Sequence, residues 1–520
     1  MQLYDQGRIE LDADIKNYLP DGFLAKLKYD EPVTMLHLMN HTAGFQEIVY
    51  TPETENPGQI ITLEHALRQF QPAQIYAPGE VCSYSNWGTA LAGYIVEHIS
   101  GQPFHEYVAH NIFSVLEMSR TAILPDWSDN PWVQEQRKLL HSYAISTESY
   151  EALGPSISYI LLYPAGSAAG TLSDFIEFAK AFVPREGEIS PLFKHRETLE
   201  FFLSPSLYYT GAEIARVCHG LWLLPYGNGV IGHSGNTKAC TSGFYFDPAS
   251  NTGVVVMTNK VGETAYNYGL LSVVFGEYAL KPDTFSPTAD ISGIYTSSRA
   301  VIERGFGKVY KYIGAMLPLI KTDEPAIYAV AIGQGKVYQI ADNTFISDNE
   351  NGLLSLMVRT VSVDGTVRFE TFTQDLFLEN SLLFFTRIFF LLLFVVAVLY
   401  AVIMLLINSV GAGTKLISKK KVDISRLNIL RICTYLAMSA SGVLVYLIVL
   451  SEVSLYGATA VQCISLSVLS LFPCIYWLTQ WKHLISRNKG KGLSCAITSI
   501  MSLIILCNIV YWQWFNFWSY

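Results

Sequence analysis

The spacing of apolar and polar residues divides the 520-residue chain into two parts near Asn380. Before this point, charged residues, prolines and turn residues are spread along the chain as in soluble domains. After it, four apolar stretches follow one another, and each has about the twenty residues that a helix needs to cross a bilayer. The stretches cover residues 388–407, 432–451, 456–478 and 493–512. We therefore predict four transmembrane helices behind a soluble part.

The periodicity of the soluble part changes near Gly220. Upstream, apolar residues recur with helical spacing, for example over 91–100, which ends at Gly101, and over 104–113. Downstream, short apolar and aromatic runs are separated by tight turns with Gly or Asn, as in antiparallel strands. Helices in the first half and an antiparallel sheet after them predict an α+β fold.

A further stretch after this sheet is also rich in strand patterns. Residues 335–340 and 365–372 alternate like half-buried strands, and Asp364-Gly365 is typical of a hairpin turn. The stretch holds no cluster of titratable groups that would mark a site. We thus predict an α+β domain over residues 1–282, a small β-rich domain over 288–380, and a membrane domain with four helices over 385–520.

The charges between the apolar stretches predict the topology. The first and third connections are rich in Lys and Arg, whereas the middle one, residues 451–455, has neither. By the positive-inside rule the basic connections are cytoplasmic, and the soluble domains are then extracytoplasmic. No carboxylate lies within the four stretches, so we favour a membrane anchor over a transporter.

The overall charge narrows the range of partners. Charged residues make up only 15% of the chain, and the mean hydropathy is +0.27 because of the apolar C-terminal part. The net charge is −9 and no basic face is apparent in the soluble part, which argues against a nucleic-acid binder. A lipid bilayer is the partner that the composition predicts.

One polar segment stands between a Pro78-Gly79 turn and an apolar helix. This segment is Tyr84-Ser85-Asn86, and its local sequence alone favours helix capping over a functional site. His41, near the end of a predicted helix, is expected to play a structural role by bonding backbone carbonyls.

Two short motifs together resemble a known family. Tyr84-Ser85-Asn86 resembles the Tyr-x-Asn motif of the serine β-lactamase and penicillin-binding-protein superfamily, in its class-C-related branch. His233-Ser234-Gly235 resembles the Lys-Thr-Gly strand motif of that family, with His in place of Lys. The flanking phrases agree, and the resemblance covers most of Met1 to about Leu280. It implies a β-lactamase/transpeptidase-like domain, an antiparallel sheet flanked by helices.

The resemblance also implies roles for individual residues. Tyr84 would relay protons to the nucleophile and leaving group, which requires nearby cations to lower the pKa of its phenol. Asn86 would bind the substrate's amide, and His233 would supply polarity or positive charge. Gly235 would let the substrate backbone approach the strand, and the Asn236 N–H would stabilise an oxyanion. No cofactor or metal is expected.

The family's Ser-x-x-Lys motif, which supplies the nucleophile, is the main departure. It is expected roughly ten residues before Met1. The matches at Ser418–Lys421 and Ser486–Lys489 lie in basic connections and are chance occurrences. We therefore expect that the chain begins inside its first domain and is inactive as it stands.

The function implied for the parent protein is that of a membrane-anchored, extracytoplasmic serine hydrolase acting through an acyl-enzyme. Its substrate would be a small molecule or peptide with an amide or ester bond: a D-alanyl peptide of cell-wall type, another small peptide, an ester or a β-lactam. The succession of hydrolase, β-rich and membrane domains also resembles a recurring bacterial arrangement. The alternative is a non-catalytic binding or sensor protein derived from the same fold.

Overall fold

The structure is a computed structural model, and contacts divide it into two compact units. The first comprises Met1–Ile48, Pro52–Ala300 and Met316–Glu379, and the second comprises Val49–Thr51, Val301–Ala315 and Asn380–Tyr520. The structure describes residues 1–48, 52–145, 150–155, 158–238, 240–278, 290–300, 305–314, 316–331, 335–348, 352–422, 426–449, 456–484 and 489–517.

Helices occupy the first half of the first unit and most of the second unit. They are α1 (Gln2–Asp5), α2 (Met35–Met39), α3 (Leu63–Gln69), α4 (Asn86–Ser100), α5 (Phe104–Val108), α6 (Pro131–Leu139), α7 (Leu172–Lys180), α8 (Arg196–Leu203), α9 (Gly269–Phe275), α10 (Tyr310–Ile313), α11 (Ser381–Ile417), α12 (Arg426–Val449), α13 (Tyr456–Leu484) and α14 (Lys489–Tyr511).

Strands lie in the first unit. They are β1 (Glu53–Thr54), β2 (Thr121–Ala122), β3 (His141–Ile145), β4 (Tyr150–Pro155), β5 (Tyr159–Ile160), β6 (Ala169–Gly170), β7 (Leu207–Tyr208), β8 (Ala215–Cys218), β9 (Leu221–Leu224), β10 (Val230–Asn236), β11 (Thr241–Asp247), β12 (Thr252–Thr258), β13 (Gly293–Ser297), β14 (Met316–Lys321), β15 (Ile327–Val330), β16 (Lys336–Ala341), β17 (Thr344–Asp348), β18 (Leu354–Val361), β19 (Val367–Glu370) and β20 (Asp375–Leu378).

Strands β7 to β12 form a six-stranded antiparallel sheet in which neighbours in sequence are neighbours in space. Asn251 takes a φ of 52° in the turn between β11 and β12, a conformation that Asn tolerates better than most residues. A core cluster of the sheet buries Ile231, Phe244 and Phe246 together with Phe182 and Leu199 from the helical part. The antiparallel sheet flanked by helices confirms the predicted α+β, β-lactamase-like fold.

Strands β13 to β20 close into an eight-stranded barrel, which is the predicted β-rich region. The closing contact pairs β13 with β20, with Tyr295 opposite Leu378. Buried side chains such as Val337, Phe345 and Phe369 fill the interior. The barrel and the preceding α+β part share one compact unit. The three-domain division stays a prediction, and its boundary at 282–288 lies outside the described residues.

The barrel pairs with the segment that precedes α4. The backbone N–H of Tyr84 donates to the carbonyl oxygen of Thr373 at 2.9 Å, and the N–H of Asp375 donates to that of Cys82 at 3.0 Å. The Ser298 hydroxyl also donates to the Cys82 carbonyl, at 2.6 Å. A turn of the barrel thereby fixes the backbone on which Tyr84 stands.

Among its described residues, the second unit contains four helices long and apolar enough to cross a membrane, as predicted. These candidate spans are Ser381–Ile417, Asn428–Val449, Thr459–Thr479 and Leu493–Tyr511. A segment between β13 and β14 also belongs to this unit, where the Tyr310 hydroxyl donates to the Ile448 carbonyl. The middle connection, 451–455, and Ser486 of the third connection lie outside the described residues.

Candidate active site

Tyr84 lies at the point where an extended segment becomes helix α4. Ser85 is the N-cap of α4, and its hydroxyl accepts a hydrogen bond from the Gly88 N–H at 3.0 Å. The helix ends at Gly101, which takes a φ of 74°. Helix capping therefore accounts for the side chain of Ser85, and not for those of Tyr84 and Asn86. It leaves the half-buried side chains of Tyr84 and Asn86 available for another role.

Strand β10 brings the second motif next to the first. The rings of Tyr84 and His233 have their centroids 6.0 Å apart. Trp222 of β9 packs on His233 at 4.1 Å and lies 6.4 Å from Tyr84, edge to face. The two motifs, separated by about 150 residues of sequence (84 to 233), thus lie next to each other in the fold.

His41 is a third ring in this cluster. Its centroid is 4.1 Å from that of Tyr84, and its Nδ1 accepts a hydrogen bond from the Ser85 N–H at 3.3 Å. His41 takes a φ of 55°, outside the helical range of α2. It supports the start of α4 through a backbone N–H, which differs from the expected bond to a backbone carbonyl.

Burial keeps both histidines neutral. Burial lowers the pKa of His41 to about 3, with smaller contributions from His233 and Arg299 in the same direction. Burial also lowers the pKa of His233 to about 4, although its bond to the Ser234 carbonyl acts the other way. His233 therefore supplies polarity at neutral pH and no positive charge.

The phenol of Tyr84 is also shifted by its surroundings. The pKa of Tyr84 is raised overall, because burial raises it more than the nearby Arg299 lowers it, and Glu47 raises it further. The lowered pKa that was expected for a proton relay is therefore not found in this structure. The guanidinium carbon of Arg299 lies 5.1 Å from the centre of the Tyr84 ring. Arg299 is thus the cation that approaches Tyr84, and it comes from the residues that follow β13.

The end of β10 offers backbone groups to a ligand. Because the Thr237 N–H bonds to the Cys240 carbonyl at 3.0 Å, ladder alternation turns the N–H of Asn236 away from β11. On its other side β10 pairs with β9 only from Val230 to Gly232. The exposed Asn236 therefore presents its N–H at an uncovered edge of the sheet, as an oxyanion donor would.

Gly235 lies one residue earlier on this edge. A Cβ added there would meet only the Ser242 hydroxyl, at 3.1 Å. At Gly232, by contrast, it would lie 2.4 Å from the Phe244 carbonyl oxygen and 2.6 Å from the Tyr245 ring. Glycine at 232 is thus required for packing, whereas Gly235 leaves room beside the strand.

The structure brings Tyr84 and His233 into one cluster, and Asn86, Gly235 and Asn236 lie on the same two elements. Sequence reasoning missed Trp222, Arg299 and Glu47 as site residues. Trp222 could have been inferred from its strand, which pairs with the motif strand. Arg299 gave no signal, because it lies more than 200 residues after Tyr84 in a region without a recognised motif.

The fold and the two neighbouring motifs define the class of protein. An antiparallel sheet flanked by helices, with the Tyr-x-Asn turn close to the His-Ser-Gly strand, agrees with the resemblance to serine β-lactamases and penicillin-binding proteins. The sequence profile of the family described as Beta-lactamase matches residues 1–271. The chain belongs to the β-lactamase family. Its relatives support a hydrolase of this superfamily.

Curated relatives agree with this assignment. "Penicillin-binding protein 4" of Amycolatopsis lactamdurans is 25% identical over 308 residues, which cover 56% of this chain and 76% of that protein. A "Putative D-alanyl-D-alanine carboxypeptidase" of Escherichia coli (strain K12) is 27% identical over 131 residues, which cover 24% of this chain and 30% of that protein. The match therefore covers less than a third of the Escherichia coli protein.

One solved structure is similar to part of the chain. The octameric penicillin-binding protein homologue from Pyrococcus abyssi is 19% identical, with a TM-score of 0.43, and the match covers 72% of this chain and 84% of that one.

Proposed function

We propose that this protein is a membrane-anchored serine hydrolase that cleaves amide or ester bonds through an acyl-enzyme. The observation that supports it most is the 6.0 Å between the rings of Tyr84 and His233, which joins both family motifs in one site. The site offers a half-buried phenol, a half-buried neutral imidazole and an uncovered backbone N–H. These are groups that acyl transfer uses for proton transfer and oxyanion stabilisation.

Each of these groups has one role in the proposed reaction. The Tyr84 phenolate takes the proton of the serine hydroxyl that the family's Ser-x-x-Lys motif would supply, as the serine Oγ–carbon bond forms. It returns that proton to the leaving nitrogen or oxygen as the scissile bond breaks, and water then hydrolyses the acyl-enzyme. The Asn236 N–H stabilises the oxyanion, a contribution of about 3 kcal/mol for a well-placed donor. Asn86 and the neutral His233 hydrogen-bond the substrate.

The substrate class follows from the superfamily. The names of the relatives, a penicillin-binding protein and a putative D-alanyl-D-alanine carboxypeptidase, favour a D-alanyl peptide or a β-lactam. Small peptides and esters belong to the same proposal, because one fold serves several acyl-transfer reactions.

The location follows from the four apolar helices of the second unit. Lys415, Lys419, Lys420 and Lys421 lie in or next to the first connection between them. We propose that this connection is cytoplasmic and that the catalytic part is extracytoplasmic.

Covalent labelling tests the proposal. The native gene product is incubated with a fluorescent penicillin or a fluorophosphonate, and the acylated residue is mapped by mass spectrometry. We expect one acylated serine, together with release of D-alanine from a D-alanyl-D-alanine peptide. Labelling that is absent with both probes would contradict the proposal.

A binding or sensor protein is the second candidate. Tyr84, Asn86 and His233 can hold a ligand without a nucleophile. Saturable binding of a D-alanyl peptide without acylation or product would favour this candidate over the hydrolase.

A further inference from the structure

We propose that Arg299, which the barrel part of the chain contributes, is a positioning residue that orients the Tyr84 ring and favours its phenolate form. The inference rests on the proposed function, because it assigns a group that supports the proton relay of that site. It also adds a role for the barrel, which otherwise contributes structure alone.

Arg299 is held beside Tyr84 from several sides. Its guanidinium carbon lies 5.1 Å from the centre of the Tyr84 ring, within the range of a cation–π contact. Its Nη2 donates to the Glu47 carboxylate at 2.7 Å, and its carbonyl oxygen accepts from the Glu47 N–H at 3.1 Å. Its own N–H donates to the Ser297 hydroxyl at 3.0 Å. The cation is therefore fixed in place.

The other ionisable groups near Tyr84 carry no positive charge at neutral pH that could stabilise its phenolate. His41, beyond α2, and His233, on β10, face the ring and are both neutral at neutral pH because of burial. Glu47 is an anion, and it opposes phenolate formation. Among the described residues that act on the charge of Tyr84, Arg299 is the cation. A cation at this distance favours the charged form of a phenol.

The ion pair with Glu47 leaves one hydrogen-bond donor of Arg299 unused. The Nε of Arg299 is buried and has no hydrogen-bond partner among the described residues. The side chains of Arg299 and Glu47 are 34% and 28% exposed, so solvent screens part of their mutual attraction. A guanidinium with an unused donor keeps positive charge available to Tyr84. Arg299 and Glu47 together then set the balance between phenol and phenolate.

A site-specific titration tests this pairing without relying on catalysis. A fluorinated tyrosine replaces Tyr84 in the full chain in detergent, and its ionisation is followed by ¹⁹F NMR. Fluorination lowers the pKa of a phenol, so the titration falls where the protein stays folded. Arg299→Gln should move the midpoint to higher pH, and Glu47→Gln should move it to lower pH. Arg299→Lys, which keeps the charge, should lie between wild type and Arg299→Gln.

Opposite shifts from the two substitutions are the signature that a merely structural residue would not give. An unchanged midpoint in Arg299→Gln, or a shift of the same sign in both Gln variants, would overturn the inference. Circular dichroism checks that each variant folds. If Arg299→Gln does not fold, Arg299→Lys replaces it, because Lys lacks the planar guanidinium but keeps the positive charge. For that variant a midpoint equal to or above that of wild type is expected, and a midpoint below that of wild type contradicts the proposal.

Kinetics separate this inference from the proposed function. In an active enzyme, Arg299→Gln should reduce the acylation rate at neutral pH about tenfold, since each pKa unit corresponds to a tenfold change in phenolate. A raised KM with unchanged kcat and an unchanged titration would assign Arg299 to substrate binding and overturn the inference. If wild type forms no acyl-enzyme while the titrations shift as expected, the proposed function fails and the Arg299–Tyr84 coupling stands.

Discussion

The backbone N–H of Tyr84 donates a hydrogen bond to the carbonyl oxygen of Thr373, 2.9 Å away and nearly 300 residues later in the chain. Thr373 lies in the turn between β19 and β20. The barrel therefore takes part in shaping the site, because the same turn also bonds Cys82 through Asp375. A substitution that disturbs this turn should therefore change the position of Tyr84.

Arg216 donates hydrogen bonds to the carbonyl oxygens of Thr371 and Gln374 in this turn. Its guanidinium lies 2.5 Å from the Asp375 carboxylate and 3.8 Å from that of Glu370, and all three side chains are less than 5% exposed. Arg216→Gln leaves two buried carboxylates with less compensation, so we expect the free energy of unfolding to fall by about 3–5 kcal/mol. Denaturant unfolding of the detergent-solubilised protein, followed by Trp fluorescence, measures this.

Arg68 provides the matched control for that substitution. It pairs with Glu64 at 2.9 Å on the exposed face of α3, where both side chains are nearly half exposed. Arg68→Gln should cost only a few tenths of a kcal/mol. Equal losses for Arg68→Gln and Arg216→Gln would show that the buried cluster does not hold the turn.

Two glycines of β10 should separate folding from binding. Gly232→Ala places a Cβ 2.4 Å from a backbone oxygen and should destabilise the protein by roughly 1–3 kcal/mol. Gly235→Ala meets only a serine hydroxyl, at 3.1 Å, so its stability should change by less than about 1 kcal/mol. Its affinity for a D-alanyl peptide should nevertheless fall, because the added methyl group occupies the edge that substrate approaches. Wild-type affinity in Gly235→Ala would remove that edge from the site.

The buried histidines predict how stability depends on pH. The pKa of His41 is lowered from 6.5 to about 3, so the folded protein favours its neutral form. As the pH falls below about 6.5, the unfolded chain binds a proton that the folded protein excludes, and the free energy of unfolding decreases down to about pH 3. His233, with a pKa of about 4, acts in the same direction over a narrower window. Unfolding midpoints between pH 7 and 4 measure the loss.

His41→Asn identifies the contribution of one histidine. Asn tolerates the φ of 55° at this position, and its amide oxygen can accept from the Ser85 N–H. The loss of stability on acidification should become smaller in this variant. His65→Asn, on the exposed face of α3, should retain the wild-type profile. The prediction fails if both variants lose stability with pH as wild type does.

The proposed topology predicts where a protease can cut the native gene product. A protease recognition sequence inserted between Lys420 and Lys421 should be cleaved only by protease on the cytoplasmic side. The same sequence in the β11–β12 turn, next to Asn251, should be cleaved only from outside. The reverse pattern would place the catalytic part in the cytoplasm.

Local patterns in the sequence predicted much of the fold. The turns that separate β9 to β12 and the apolar length of the four helices are local features, and so is the Ser85 cap of α4. The motifs at Tyr84 and His233 were recognised because each is a short run with family flanks. Their predicted roles stay proposals, since the geometry shows proximity and no reaction.

Long-range pairing was the part that the sequence could not predict. Closure of the barrel joins β13 to β20 across some 80 residues, and no local period encodes that register. The approach of Arg299 to Tyr84 depends on this closure and on the docking of the barrel turn. The charge state of His233 likewise depends on burial by Trp222, which strand alternation alone does not specify.

The rate of acylation by a fluorescent penicillin in Tyr84→Phe tests the central claim most directly. The native gene product, the Tyr84→Phe variant and Tyr94→Phe, a control on the same helix α4, are compared at equal folded fraction. We predict a loss of about 10²-fold or more in Tyr84→Phe and a near-wild-type rate in Tyr94→Phe, because a general base typically contributes 10²–10⁴-fold. Acylation of Tyr84→Phe at the wild-type rate would contradict the assignment of Tyr84 to the active site.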